Sequence, residues 1–235
     1  MTPLHKFSSH LKALFTEPRS VTVLGSGPLD DQFALAGFLL ASPELEAVLR
    51  RIGQDAQALR AAVTNYTGTG NRGSRASIAK VVEHALKIAQ PDMLAEEKRT
   101  QVMFVALVHR GVPAVRSVLE AAGADLRALV FMVAHGKPES ATTPVPLDAD
   151  SVAIFNDNFT PMEFVVGTLS DILGVDREAA IKLMLQIHRE GSVRVPCATT
   201  AEAARIAEKI NTRARAEYYP LYSMAVAEVT TGEEQ

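Results

Sequence analysis

The sequence predicts two domains: an all-α domain built as a double helical repeat, then a small α/β sandwich with an antiparallel sheet and three helices. Three observations carry this. Up to residue 137 the chain is rich in alanine and leucine with helical spacing throughout. Within that stretch a pattern recurs at an offset of 70 residues. After a proline-rich break, strand-like and helix-like pieces alternate. The domains are therefore set at 1–137 and 151–235, with a Pro-rich linker at 138–150.

The repeat is read by comparing PELEAVLRRIGQDAQAL, starting at Pro43, with PAVRSVLEAAGADLRAL, starting at Pro113. Gly53 matches Gly123, and Asp55 matches Asp125. Glycine closes a helix in a left-handed conformation at no steric cost, and an aspartate two residues on can cap the next helix. Two equivalent helix–turn–helix units packed about a pseudo-twofold are expected. Between them, TGTGNRGSRAS, from Thr67 to Ser77, reads as a flexible connector. It lacks the Gly-Lys-Ser/Thr ending of a phosphate loop, and no apolar strand leads into it.

The break is KPESATTPVPLDAD, from Lys137 to Asp150, with three prolines and little apolar periodicity. Beyond it the pattern predicts a strand at SVAIF, helices over 161–173 and 176–189, a strand at SVRV, a helix over 200–216, and a last strand in LYSMAVAEV. At the first strand-to-helix junction, Thr160-Pro161-Met162-Glu163 reads as a capping box. Thr160 is the N-cap, Pro161 the first helical residue, and Glu163 reaches back from the third position. That chemistry does not by itself call for Asn156, Asp157 and Asn158.

Composition excludes several classes. The 235 residues are 47% hydrophobic and 22% charged, with a formal net charge of −3 and no basic run, so nucleic acid is not the expected partner. No stretch of about 18 apolar residues occurs, and MTPLHKFSSHLKALF is amphipathic without the apolar core of a signal peptide, so a cytoplasmic protein without a membrane association is expected. Cys197 is the single cysteine, which suits a reducing compartment. His5, His10, His84, His109 and His135 show no metal-ligand spacing and read as surface or capping residues. Asp157 and His188 lack a positioned nucleophile or a metal set, so the reading is a non-enzyme with no catalytic residue, no metal and no cofactor.

Two resemblances follow. SIAKVVEHALKIA from Ser77, RALVFMVAHG from Arg127 and the repeat resemble the N-terminal domain of the Clp (Hsp100) unfoldases, nearest the ClpA type. The AAA+ modules and the Gly-x-x-x-x-Gly-Lys-Ser/Thr motif of those unfoldases are missing from this sequence. More specifically, NDNFTPMEFVVGTL from Asn156, KLMLQIHREG from Lys182 and YYPLYSMAVAE from Tyr218 resemble the three signature regions of the ClpS family. The resemblance implies a ClpS-like adaptor of the N-end rule pathway. Such an adaptor recognises N-degrons with N-terminal Phe, Tyr, Trp or Leu and delivers them to a ClpA- or ClpC-type unfoldase, with ClpP engaged indirectly.

Carried over residue by residue, Asn156, Asp157 and His188 match the family's ligands for the α-amino group. Met162, Val165, Met184 and Leu221 match its apolar pocket. The chemistry agrees: an ammonium with three donors needs acceptors, and an amide oxygen, a carboxylate and a neutral imidazole nitrogen can supply them. Two features depart from the pattern. Asn158 stands where ClpS proteins usually carry a second aspartate, and RVPCATTAEAAR, from Arg194 to Arg205, differs in the region that ClpS uses for docking. A regulatory or anti-adaptor role, with the fused N-domain occupying the docking face within or between chains, is the alternative expectation.

Overall fold

The computed structural model describes residues 31–66, 75–88, 96–139, 146 and 149–227. MTPLHKFSSHLKALF, with His5 and His10, lies outside the described residues, as do residues 67–74 of the expected connector. Contacts gather the chain into two units, Met1–Pro138 and Glu139–Gln235.

Among the described residues of the first unit, every regular element is a helix. Its helices are α1 (Asp31–Leu40), α2 (Pro43–Arg51), α3 (Ala56–Thr64), α4 (Arg75–Ile88), α5 (Glu96–Arg110), α6 (Pro113–Ala121) and α7 (Leu126–His135). Two of them lack a polar face over much of their length. Phe33 to Ala36, Leu39 and Leu40 of α1 are buried, and so is the unbroken run Val102–Val108 of α5. A helix that is apolar all round must be enclosed, so α1 and α5 form the centre, with the amphipathic α2, α3, α4 and α7 packed on them. Removing a Leu, Phe or Met side chain from water in this way contributes about 1.5–3 kcal/mol each.

The two turns at the 70-residue offset have the same local geometry. Gly53 and Gly123 are left-handed, with φ of 72° and 91°. The next amide in each donates back to a leucine carbonyl at 2.9 Å, Gln54 to Leu49 and Ala124 to Leu119. Asp55 then caps α3 by accepting from the amides of Gln57 and Ala58, and Asp125 caps α7 by accepting from Ala128. Arg75, Ala76 and Ser77 belong to α4, so the helix begins inside the segment expected to be connector.

His84 corrects the expectation of a surface histidine. It is buried at 6% exposure between α4 and α5, with its Nε2 3.3 Å from Nδ1 of His109. Neutral imidazoles can share one proton across this contact, whereas two imidazoliums would repel.

The second unit is a three-stranded antiparallel sheet with three helices. Its elements are β1 (Ser151–Phe155), α8 (Met162–Leu173), α9 (Arg177–Glu190), β2 (Ser192–Pro196), α10 (Thr200–Ala216) and β3 (Tyr222–Val226). The strand order is β2-β1-β3, so the first strand is central. Val152 and Ile154 of β1, Val193 of β2 and Ala225 of β3 lie on one face, in a single apolar cluster with residues of all three helices. The edge strand β3 is fastened from the helix side. Ser223 donates its amide to Asn211 Oδ1 at 2.8 Å, and Asn211 Nδ2 donates to the Ser223 carbonyl at 2.9 Å. The pair is buried, so both backbone groups are satisfied by one carboxamide instead of a further strand.

Burial, followed by the charges of Arg110 and Lys87, pushes the His84 pKa down from 6.5 to about 4. The unfolded chain thus takes up a proton first as pH falls, and stability should drop between pH 6.5 and pH 4 by about 2–3 kcal/mol. Urea unfolding of the protein and of His84→Gln at pH 7 and pH 5 tests this. The expected result is a smaller loss in the variant; equal losses refute the assignment.

Candidate functional site

Phe155, the last residue of β1, pairs with Ser192 on one side and with Tyr222 on the other. One end of the sheet therefore collects the exit of β1, the start of β2 and the start of β3. The turn after β1 is tied to that end by the backbone: the Asn156 amide donates to the Gly191 carbonyl at 2.8 Å. Gly191 is itself the left-handed cap of α9, with φ of 82°, and its amide donates to Ile187. His188 lies in the last turn of that helix. Antiparallel pairing thus brings together segments more than 30 residues apart.

Asp157 organises the turn. Its Oδ1 accepts from the amides of Phe159 at 2.8 Å and Thr160 at 2.6 Å, and its Oδ2 accepts from the Thr160 hydroxyl at 2.9 Å. This replaces the expected capping box. Pro161, not Thr160, is the N-cap of α8, it makes no side-chain cap, and Met162 is the first helical residue. Moving the helix start one residue on takes Thr160 out of cap position, so its hydroxyl turns back to the carboxylate. Glu163 stays exposed in the first turn, where a negative charge favours the helix N-terminus. Asp157 is thereby demanded by the turn, contrary to the expectation that the turn could do without it. The sequence signal for this was an Asx turn, an aspartate two residues before an amide it can accept from.

Of the apolar residues, Val165, Met184 and Leu221 enter the same buried cluster. Met162 does not: it is 49% exposed at the head of α8. Asn156 is half-buried, and Asn158 and His188 are exposed. A support that the sequence did not suggest holds α8 against the segment before Leu221. The Phe164 ring meets Tyr219 edge-on at 4.7 Å, Arg213 stands over Phe164 at 5.9 Å, and Arg213 also donates to Asp171 at 2.7 Å.

Cys197 belongs to the other end of the sheet, where its amide donates to the Asp150 carbonyl. Burial, with Glu202 next, pushes its thiol pKa up, which favours the unreactive protonated form. Among the described residues, no three His, Cys, Asp or Glu side chains are grouped to hold a metal ion. Among those residues, too, no single helix is long and apolar enough to cross a membrane.

A three-stranded antiparallel sheet under three helices, with two loops and a helix end gathered at one end, defines a small α/β sandwich. Residues 148–224 match the family model described as ATP-dependent Clp protease adaptor protein ClpS. The chain is 40% identical over 83 residues to the ATP-dependent Clp protease adapter protein ClpS of Aromatoleum aromaticum, a match covering 35% of this chain and 79% of that protein. The ClpS of Paraburkholderia phymatum is 41% identical over 70 residues, covering 30% and 67% of the two chains. That of Cupriavidus necator is 43% identical over 70 residues, covering 30% and 65%. No solved structure matches the chain. Through its second unit, the protein belongs to the ClpS family of Clp protease adaptors.

The division of labour between turn and surface can be measured. Asp157→Ala removes three accepted hydrogen bonds and should cost about 1–3 kcal/mol in urea unfolding. His188→Ala, at an exposed position, should change stability by less than about 0.5 kcal/mol.

Proposed function

We propose that the protein is an N-degron adaptor of the Clp proteolytic pathway that grips a free chain end at the Phe155 edge of its second unit. The observation that carries this is the Asn156–Gly191 hydrogen bond, which draws the Asn156-Asp157 turn and the last turn of α9 to one edge. The family supplies the adaptor role, and the residues supply the chemistry. The Asn156 amide oxygen, the Asp157 carboxylate and the His188 imidazole are the acceptors for the ammonium. An internal peptide group offers one neutral N–H, so charge-assisted bonding discriminates for an unblocked terminus.

Val165, Met184 and Leu221 form the apolar wall for the first side chain, and exposed Met162 is its rim. Methionine adapts to aromatic and branched guests alike. The bound proteins are those beginning with Phe, Tyr, Trp or Leu. They pass to a ClpA- or ClpC-type unfoldase in the cytoplasm, and no cofactor takes part. The first unit, within residues 1–137, is a Clp N-terminal-like domain of two related halves. The matching turns at Gly53 and Gly123 support this reading.

Calorimetric titration with peptides beginning with Phe or Leu should give micromolar or tighter binding, weakened at least tenfold by N-acetylation, since a charged hydrogen bond contributes about 1.5–3 kcal/mol. Equal affinity of free and acetylated forms would end the proposal. His188→Ala should weaken the free peptide about tenfold while leaving the fold intact.

A further inference from the structure

Residues 138–150 read as linker in the sequence, yet the chain is anchored on both sides of Pro138. On the near side, the Gly136 carbonyl, at the left-handed cap of α7, accepts from Arg51 Nη2 at 2.8 Å. On the far side, Glu139 reaches the last turn of α10. Its Oε1 accepts from Nε of Arg215 at 2.9 Å and also from Nη2 of the same guanidinium. Glu139 accordingly belongs to the second unit, whereas Pro138 closes the first. Between the two anchors stand only Lys137 and Pro138. Further on, Ala149 is fixed at 2% exposure in the apolar cluster. Asp150 follows it, donating its amide to the Val226 carbonyl at 3.1 Å and accepting from the Cys197 amide at 2.7 Å.

The contact of Glu139 with Arg215 is built to form and to release. Two N–H groups converge on one charged oxygen, which strengthens the bond, and the side chains of Glu139 and Arg215 are only 19% and 33% exposed. A carboxylate on its own is disfavoured at the negative C-terminal end of a helix, so the arginine is what holds Glu139 there. Release is not prohibitive, because Arg215 has a second carboxylate within reach. Its Nη1 lies 3.8 Å from Oε1 of Glu208. An arginine that lets go of Glu139 therefore keeps a counter-charge and avoids the penalty of standing unpaired.

We propose that the Glu139–Arg215 ion pair is a latch that gives the linker two working lengths. With the latch made, the free chain from Gly136 to Glu139 spans at most about 11 Å. With it broken, the free chain runs from Gly136 to Ala149 and spans up to about 45 Å. The reach of a linker decides whether two joined modules can meet and at what effective concentration, so the latch regulates any action that the two units perform together. Losing one such pair raises the ratio of open to latched chains by about three- to tenfold. This device is independent of the ligand bound at the Phe155 end of the sheet.

Small-angle scattering of the full chain tests it, at low salt and at about 1 M salt, where the Debye length falls to about 3 Å. The wild type is expected to gain up to about 30 Å in largest dimension at high salt. Glu139→Gln and Arg215→Gln are expected to show the longer form at both salt concentrations. Glu208→Gln, which removes the other carboxylate and leaves the latch, follows the wild type. Glu139 lies outside every helix and strand, so its substitution leaves both units folded. A wild type that is as long at low salt as Glu139→Gln overturns the latch, and so does a Glu208→Gln chain that lengthens as much as Glu139→Gln.

Discussion

The hydrogen bond from the Asn156 amide to the Gly191 carbonyl is the constraint on which the site end of the second unit depends. It extends the β1–β2 pairing one residue past Phe155, into the turn, and meets α9 where the left-handed Gly191 ends it. Two loops are thereby fixed by one short contact. Asp157 then shapes the turn from within, with both carboxylate oxygens engaged by Phe159 and Thr160. A turn built this way is preorganised, because the chain's own amides and hydroxyl fix the orientation of its carboxylate.

The same end of the unit is held from the other side. Asn211 clips Ser223 of the edge strand to α10, and Ser223 sends its hydroxyl on to the Ala207 carbonyl at 3.1 Å. Buried polar networks are costly when incomplete and specifying when complete, and this one is complete. It sets the height of β3 against the helices, and so the position of Leu221 at its start. Arg213, Phe164 and Tyr219 add a second brace between α8 and that segment. The candidate site is therefore framed by the sheet, by α10 and by α8, while Met162 and His188 face solvent.

The first unit follows a different logic. Its centre is made by α1 and the apolar run Val102–Val108 of α5, and the buried polar groups there include Gln32, which accepts from the Val112 amide at 2.6 Å, and His84, which faces His109. His84, buried against His109, disfavours protonation in the folded state, so this contact is a pH-sensitive element of the unit.

Much of this was legible in the sequence because it is local. The turns at Gly53 and Gly123 were written in glycine and aspartate spacing, and SVAIF proved to be a strand over the residues read as one. The helices of the second unit followed their apolar period to within a residue or so. What the sequence could not decide was every property that depends on partners far away along the chain. It read Thr160 as a cap, whereas the carboxylate three residues earlier captures its hydroxyl. It read His84 as a surface residue, although α5 covers it. It placed Met162 and Val165 together on one helix but could not rank them by depth. Periodicity fixes only direction around a helix axis, and burial depends on what packs against that axis.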